Sequence, residues 1–414
     1  MLTSFTWVPL GALKMIPLHS TVTAEVAREK LKQQYPDEHA AVAAAASSTD
    51  DDDGAASGDG DDLFNRIGVG DRVMDDIESD DDEEVADTTF KPTDLVFVAT
   101  RADTEEPKLE VFVYDDPQDN LYVHHDVTVT AFPLTSAWLT DGSMALLALG
   151  TMLPFIELWP LDVLDAVEPL CVLGGCEKPE DNYRRRMRRL KAASHKEAVL
   201  SVRWNTTVQQ FLASGSADAT VKIWDLTSQD CVATMVEADK VQSLWWHPDE
   251  AHLLLSGMFN GQVSIHDCRD ADLPVMTLVP DSTSVEHCEF DPTGTRILVS
   301  ASSGAFYAYD PRKPTEAIWQ LEPHDADTTF ACSPQLKGLL ATGGKDGFIT
   351  LWDCRRDVPE LIVSRKYRTG SVLALEFHPN NELVLGAGGS RGEPLVYTFT
   401  QDVLGRFDLT TKST

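Results

Sequence analysis

A short aromatic marker recurs along this chain at nearly constant spacing. Each marker ends a segment that alternates apolar and polar residues, as in "TVKIWDL" and "FITLWDC", and an acidic residue usually follows it. The markers are Tyr114, Trp159, Trp224, His266, Tyr309, Trp352 and Tyr397. Successive markers lie 45, 65, 42, 43, 43 and 45 residues apart. A repeat of this length, built from alternating segments, predicts an array of small β-sheets.

A second series of residues runs in step with the first. Each member ends an apolar run before a turn and precedes its marker by 19 to 21 residues. The members are Trp138, Trp204, Trp246, Phe290, Cys332 and Phe377. The remaining marker, Tyr114, finds its partner at Trp7 in "TSFTWVPLG", 107 residues upstream. The sequence therefore contains seven repeats. A long insertion splits the first, and the interval of 65 residues marks another insertion between the second and third.

This pattern predicts an all-β fold, a seven-bladed β-propeller with four antiparallel strands in each blade. A single blade cannot bury both of its faces, but seven blades stacked in a ring can. The strand around Phe5 to Val8 is expected to close the ring, because an open ring would leave an unpaired edge. The sequence leaves open whether the last outer strand comes from residues 405–410 or from the N-terminus.

The repeats also divide the chain into segments. Residues 1–13 hold the first propeller strand, and residues 14–90 form an insertion that is acidic and largely disordered over 40–87, where the composition offers little to bury. Blades one and two occupy 91–173. A basic insertion at 174–193 precedes blades three to seven and a C-terminal tail at 194–414.

Two of the repeats carry a motif of four polar and aromatic residues. "SADATVKIWD", ending at Asp225, and "GKDGFITLWD", ending at Asp353, resemble WD repeats. In that family a structural tetrad ties a loop to the inner strands of the blade. The residues that match it are His195, Ser214, Asp218 and Trp224 in one blade, and His324, Thr342, Asp346 and Trp352 in another. Another blade departs from the motif, with His266 in place of Trp and Asn260 in place of Asp.

Three further stretches resemble one particular family. "KPTDLVFVATRA", "LYVHHDVTVTAFPLTSAWL" and "FIELWPLDVLDAVEPL" are similar to the periodic tryptophan protein 1 family, which also has an acidic insert after its first strand and a basic insert near its third blade. The resemblance implies a nucleolar factor in assembly of the large ribosomal subunit, in a family also linked to chromatin at ribosomal genes.

The charge of the chain is strongly negative and unevenly placed. The net charge is −33, and the stretch from Asp50 to Asp87 holds seventeen acidic residues against two arginines. The rest of the chain is still acidic and should repel a phosphate backbone. The acidic insert is either a solvated loop or an arm that engages basic partners such as histones or ribosomal proteins. Ser79, followed by five acidic residues, is a candidate phosphorylation site.

One cluster reverses this charge. It comprises Arg184, Arg185, Arg186, Arg188, Arg189 and Lys191. Three kinds of partner fit it, namely RNA phosphate, an acidic protein and a nuclear-import receptor. The alternative is pairing with the chain's own acidic insert. Because six charges carry no base information, any contact with RNA at this cluster would be independent of sequence.

Motifs for catalysis or metal binding are missing from the sequence. There is no phosphate loop, nucleophile elbow or HExxH motif. Cys171, Cys176 and His195 lack a fourth zinc ligand, and ordinary packing is favoured for them. His124 and His125 are adjacent and should face opposite sides of a strand, which would prevent them from binding one metal together. The seven cysteines include no CxxC pair, which indicates reduced thiols inside the cell.

Together these features favour a binding protein over an enzyme. The leading hypothesis is a non-catalytic scaffold in ribosome biogenesis and rRNA processing in the nucleus and nucleolus, with no cofactor, no small-molecule substrate and no membrane partner. The alternative is a histone- or chromatin-binding protein that acts at ribosomal genes. A hydrolase using the channel of the propeller is a remote third. Neither a signal peptide nor a membrane span is expected.

Overall fold

The structure is a computed structural model. It describes residues 1–18, 89–102, 106–140, 144–164, 166–175, 190–270, 273–280, 283–356, 358–399 and 401–407. Within these ranges the chain forms 27 strands, one 3₁₀ turn at Asp116–Gln118 and one short helix, α1, at Gln401–Arg406. The described residues contain no helix long and apolar enough to cross a membrane.

The strands follow one another in blades. Blade one comprises β1 (Leu2–Val8), β2 (Leu95–Arg101), β3 (Lys108–Asp115) and β4 (Asn120–Thr128). Blade two comprises β5 (Pro133–Thr140), β6 (Ala145–Thr151), β7 (Phe155–Pro160) and β8 (Cys171–Gly174). Blade three comprises β9 (Val199–Trp204), β10 (Phe211–Ser216), β11 (Thr220–Asp225) and β12 (Cys231–Val236). Blade four comprises β13 (Val241–Trp246), β14 (Leu253–Met258), β15 (Val263–Asp267) and β16 (Met276–Leu278).

The remaining blades continue the same order. Blade five comprises β17 (Val285–Phe290), β18 (Ile297–Ala301), β19 (Phe306–Asp310) and β20 (Lys313–Leu321). Blade six comprises β21 (Thr328–Cys332), β22 (Leu339–Gly344), β23 (Phe348–Asp353) and β24 (Glu360–Lys366). Blade seven comprises β25 (Val372–Phe377), β26 (Val384–Gly389) and β27 (Leu395–Thr398). Every blade is an antiparallel meander.

The seven blades close into a ring, which confirms the predicted seven-bladed β-propeller. The first strand of each blade packs against the first strand of the next, from β1 through β5, β9, β13, β17 and β21 to β25, and β25 returns to β1. Since all first strands run in the same direction, the loops after first and third strands lie on one face, here called the lower face. The loops after second strands and between blades lie on the opposite, upper face.

Blade one is assembled from two distant parts of the chain. β1 pairs with β2 in antiparallel register, with Trp7 opposite Phe97. The chain leaves the described structure at Leu18, which forms a parallel bridge with Val163, and it re-enters beside Met15, whose carbonyl accepts from the Phe90 amide at 2.9 Å. The insertion therefore begins and ends side by side on the lower face. Residues 19–88, including the acidic tract from Asp50 to Asp87, lie outside the described structure.

Neighbouring blades interlock by the same contact at several junctions. A glycine on the second strand of one blade faces a valine on the first strand of the next. At Gly215 an added Cβ would lie 2.6 Å from the Cγ1 atom of Val241. Gly257 meets Val285 and Gly343 meets Val372 in the same way. Any larger side chain would push the blades apart, because interiors of this kind leave no space for an extra methylene.

The junction that closes the ring repeats an internal one. The Trp246 indole Nε1 of blade four donates to the Arg203 carbonyl of blade three at 3.0 Å, and the Trp7 indole Nε1 of blade one donates to the Glu376 carbonyl of blade seven at 2.9 Å. Phe5 fills the space above Gly386. The N-terminal strand is thus the inner strand of blade one, and residues 401–406 form a helix. Neither supplies a fourth strand to blade seven among the described residues.

Replacing Trp7 tests how much this junction contributes. Trp7→Ala is expected to lower the free energy of unfolding by about 3–5 kcal/mol, since the buried indole loses its packing and its hydrogen bond to blade seven. Urea denaturation followed by circular dichroism measures the change, and removal of residues 1–10 should open the ring outright. Val236→Ala is the control, because Val236 is 79% exposed and should change stability by less than about 0.5 kcal/mol. Equal midpoints for the two variants would contradict the closing role of β1.

Shortening the insertion should leave stability nearly unchanged. Its two ends already lie beside one another at Met15 and Phe90, and the entropy of closing a loop depends only weakly on loop length. Deletion of residues 40–87 is therefore expected to shift the melting temperature by no more than about 2 °C. Calorimetry of the deletion variant beside the full chain gives the answer. A fall of many degrees would mean that the removed segment packs against the ring.

Candidate functional site

Blade three contains a chain of hydrogen bonds that links an upper loop to the two middle strands. The Nε2 atom of His195 lies 2.7 Å from Ser214 Oγ on β10, and the indole Nε1 of Trp224 on β11 donates to the same oxygen at 2.8 Å. The Nδ1 atom of His195 lies 3.3 Å from the carboxylate of Asp218 in the β10–β11 turn. These four residues thus fix the loop before β9 against its own blade.

Blade six repeats the arrangement. His324 Nε2 lies 3.1 Å from Thr342 Oγ1, and Trp352 Nε1 donates to that hydroxyl at 3.0 Å. The Nδ1 atom of His324 lies 3.1 Å from the carboxylate of Asp346. The structure brings together all eight residues that the sequence pattern grouped into two tetrads.

The protonation states of the blade-three tetrad suit a structural role. Burial lowers the pKa of His195 against the opposing pull of Asp218, so the imidazole is neutral near pH 7. Burial also works against the charge of Asp218, but hydrogen bonds from His195, Thr220 and the Lys196 amide outweigh it and hold the pKa of the carboxyl below its usual range. A neutral His195 that donates from Nδ1 accepts the Ser214 hydroxyl proton at Nε2. Each polar group is therefore satisfied inside the blade.

Blade four uses the same positions with donors and acceptors exchanged. Glu237 precedes Val241 by four residues, as His195 precedes Val199, and His266 stands where blade three has tryptophan. The Oε1 atom of Glu237 accepts from Ser256 Oγ at 2.6 Å and lies 2.6 Å from His266 Nε2. A carboxylate is thus the centre of this network. The sequence motif did not reveal Glu237, although its offset from the strand start could have done so.

Blade two has a third version of this network. Glu157 on β7 is 2% exposed and accepts from Thr130 Oγ1 at 2.5 Å and from Trp159 Nε1 at 3.0 Å. As in blade four, the acceptor is a buried carboxylate. The Trp159 indole N–H donates to this carboxylate, whereas the Trp224 indole N–H of blade three donates to a hydroxyl. The polar ties between loop and strands therefore persist in a blade whose residue types do not match the motif.

The predicted basic cluster leaves the ring from the upper face. It lies between β8 and β9, on the connection between blades two and three. Lys191 is exposed, and its amide donates to the Gly175 carbonyl at 2.9 Å. Arg184, Arg185, Arg186, Arg188 and Arg189 lie outside the described residues, as do Ser79 and the acidic tract. The two inserts consequently depart from opposite faces of the propeller.

The paired histidines of blade one depart from expectation. The prediction that His124 and His125 face opposite sides of the strand was wrong, because their Nδ1 atoms lie 2.9 Å apart. A β-bulge is the cause. Val111 pairs with His125 and Phe112 pairs with Val123, which leaves His124 as the extra residue and breaks the alternation of side chains. Phe90 stacks on His124 at 4.2 Å.

The cysteines of the described residues are all free thiols. Cys171 is buried on β8, and burial raises its pKa to about 12. The same cause raises the pKa of Cys288 to about 12. No group of three or more metal-ligating side chains occurs in the part of the chain that the structure describes. Cys176, the second residue of the candidate zinc set, lies outside that part.

Comparison with known proteins agrees with the repeat architecture. A family model for eukaryotic translation initiation factor eIF2A matches residues 184–305, which cover less than a third of the chain. Periodic tryptophan protein 1 homolog of Drosophila melanogaster is 29% identical over 341 residues, covering 80% of this chain and 72% of that protein. Periodic tryptophan protein 1 of Saccharomyces cerevisiae is 29% identical over 364 residues, covering 74% and 63%.

A third relative is an uncharacterized WD repeat-containing protein of Schizosaccharomyces pombe. It is 32% identical over 328 residues, which cover 77% of this chain and 63% of that protein. This chain thus spans less than two thirds of the length of either yeast relative. With its seven blades and hydrogen-bonded tetrads, the molecule is a WD-repeat β-propeller protein. Within that class the chain belongs to the periodic tryptophan protein 1 family.

The hydroxyl at the centre of the blade-three tetrad can be tested directly. Ser214→Ala leaves His195 Nε2 and Trp224 Nε1 without their shared partner inside the blade. The expected loss of stability is about 2 kcal/mol, because buried polar groups then lack hydrogen bonds. Ser302→Ala, at a partly exposed turn of blade five, is the matched control and should be near neutral. The two urea midpoints decide, and an unchanged midpoint for Ser214→Ala would show that the tetrad adds nothing to stability.

Proposed function

We propose that this protein is a non-catalytic scaffold in assembly of the large ribosomal subunit and in rRNA processing, acting in the nucleolus. Membership of the periodic tryptophan protein 1 family carries this proposal. The family resemblance implies the ribosomal role, and a fold alone does not define a function.

The tetrads support a binding role over a catalytic one. His195 is fully buried, and both of its ring nitrogens are engaged within blade three. His324 is 6% exposed and is engaged in the same way in blade six. A general acid or base must reach the substrate proton within hydrogen-bond distance. Such histidines serve the fold, and they leave the surfaces of the ring free for partners.

The two inserts supply contacts of opposite charge on opposite faces. The acidic insert leaves the lower face beside Leu18, whereas the basic cluster leaves the upper face after Gly175. This separation weighs against pairing between the two inserts. It favours a scaffold that holds a basic protein on one side and rRNA phosphate or an acidic protein on the other. The RNA contact would be independent of base sequence and sensitive to salt.

Affinity purification of the tagged full chain from nuclear extract tests the proposal. The eluates at low and moderate salt are scored for preribosomal RNA, large-subunit proteins and histones. Large-subunit proteins together with preribosomal RNA should survive moderate salt, because several contacts hold the complex. Recovery of histones alone, lost as salt rises, would overturn the ribosomal role in favour of chromatin binding.

A charge variant separates the RNA contact from the protein contacts. Replacing Arg184, Arg185, Arg186, Arg188, Arg189 and Lys191 by glutamine should reduce RNA recovery about tenfold or more at low salt, since up to six phosphate contacts are lost. Large-subunit proteins should still be recovered. The matched control replaces six acidic residues of the 50–87 tract by their amides, which should spare RNA. RNA loss in the control alone would reverse the assignment of the two inserts.

A further inference from the structure

The first strands of all seven blades enclose a central channel of about 520 Å³. Its lining carries four carboxylates, from Glu286, Glu289, Asp327 and Glu376, against a single guanidinium, that of Arg203. Glu286 and Asp327 lie near the upper ends of their strands. Glu289, Glu376 and Arg203 lie near the lower ends of theirs. Carboxylates therefore outnumber basic side chains in the lining of the channel.

Glu289 is the least solvated of these carboxylates. The residue is only 2% exposed, and its Oε2 atom lies 3.6 Å from His287 Nε2. Burial lowers the pKa of His287, so this imidazole does not supply a full positive charge near neutral pH. The Oε1 atom of Glu289 has no partner of good hydrogen-bond geometry among the described residues. The nearby Cys332 thiol is buried, and burial together with the Glu289 carboxylate raises the pKa of that thiol well above its usual range, so it remains only a weak donor to the carboxylate. A buried carboxylate oxygen without a good hydrogen-bond partner is destabilising, so its presence calls for an explanation.

Arg203 does not neutralise the lower carboxylates by direct contact. Its Nε atom donates to the Leu244 carbonyl at 3.3 Å, and its guanidinium stacks 4.4 Å above the Trp245 ring. Among the described residues Arg203 forms no ion pair, although Glu289 and Glu376 are near enough to act on its charge. The side chain is therefore held on the wall of the channel.

Glu376, on the first strand of blade seven, belongs to the same group of channel carboxylates. Its Oε2 atom accepts from the Trp7 amide at 3.0 Å, which fixes the carboxylate at the junction of blades seven and one. Burial raises the pKa of Glu376 to about 7, although the Trp7 amide and Arg203 act in the other direction. A second cation beside it would restore its charge. The protein alone thus leaves two carboxylates incompletely compensated.

We propose that the channel is a binding site for an arginine side chain of a partner protein, whose guanidinium meets Glu289 and Glu376. A guanidinium has five donors in a plane, enough to satisfy Glu289 Oε1 and to reach a second carboxylate at once. It is also more weakly hydrated than an ammonium group, so its burial costs less. The Arg203 stack on Trp245 shows that the same wall accepts this group.

The proposal is independent of whether the partners belong to the preribosome. The competing explanation is that water fills the channel and bonds to Glu289. A charged ligand distinguishes these two explanations. An arginine site binds a guanidinium more tightly than an uncharged group of the same shape, whereas a channel filled only by water shows no such preference. The two explanations also differ in what replacing Glu289 does to the stability of the protein. A carboxylate that is kept without a partner for binding is destabilising, so its replacement by an amide should not lower the melting temperature.

The test measures the melting temperature of the full chain with a blocked Gly-Arg-Gly tripeptide and with its citrulline counterpart, an uncharged isostere. The arginine tripeptide should give a saturable rise of roughly 2 °C, and the citrulline peptide none. Glu289→Gln should abolish the rise while melting at or above the temperature of the unmodified protein. Glu316→Gln, on the exposed outer strand of the same blade, should keep the rise.

Three outcomes would overturn the proposal. Equal shifts with arginine and citrulline would show that charge is not recognised. A rise that persists in Glu289→Gln would place the peptide elsewhere. Absence of any rise with the arginine tripeptide would leave the channel to water, and a melting temperature of Glu289→Gln several degrees below that of Glu316→Gln would give Glu289 a structural role instead.

Discussion

The structure depends on the contact between the first strand of the chain and the last blade. β1 packs between blade seven and blade two, and its only covalent connection to the rest of blade one is the long insertion. What holds it is packing and hydrogen bonding. Phe5 stacks on Phe97 at 4.3 Å, and Trp7 meets both Phe97 and His378 edge to face. Because no blade is shared between the two ends of the chain among the described residues, this seam is what keeps the ring closed.

A long insertion is tolerated at this place for a physical reason. The entropy of loop closure grows only with the logarithm of loop length, whereas each large aromatic side chain that β1 buries contributes a fixed amount. Asp162 adds a polar anchor just before the insertion, accepting from the Lys14 amide at 2.8 Å and from the Ala145 amide at 3.0 Å. The insertion is therefore expected to cost the ring little stability.

The repeat architecture could be predicted because every blade buries aromatic or apolar side chains at the same positions of its strands. Trp7, Trp204 and Trp246 end first strands, and Tyr114 and Trp224 lie on third strands. The spacing of these aromatic residues along the sequence therefore gives the length of one blade. The split of blade one also followed from spacing, since a missing partner at twenty residues required an insertion. Side-chain types at fixed offsets are sufficient when the same contact recurs.

Features that depend on pairing rather than residue type could not be predicted. The bulge at His124 changes which side chains share a face, and its cause is the register of β3 with β4. Glu237 and His266 form the same kind of network with the donor and acceptor positions exchanged. A search for the residue types of the WD-repeat tetrad therefore does not recognise the network in blade four. The grouping of Glu289, Glu376 and Arg203 along one channel involves three blades at once. No single repeat contains it.

Charge then determines where partners can bind. An acidic body repels phosphate, and at physiological ionic strength screening limits this repulsion to about 8 Å. A channel lined by Glu286 and Asp327 at its upper mouth therefore disfavours a phosphate backbone, and the basic cluster of the sequence is the place where an anionic partner is proposed to bind. The same acids attract a cationic side chain toward Glu289 and Glu376 below. Under the two proposals, anionic partners bind the basic insert and a cationic side chain binds the channel, so that the two kinds of partner would not compete for one surface.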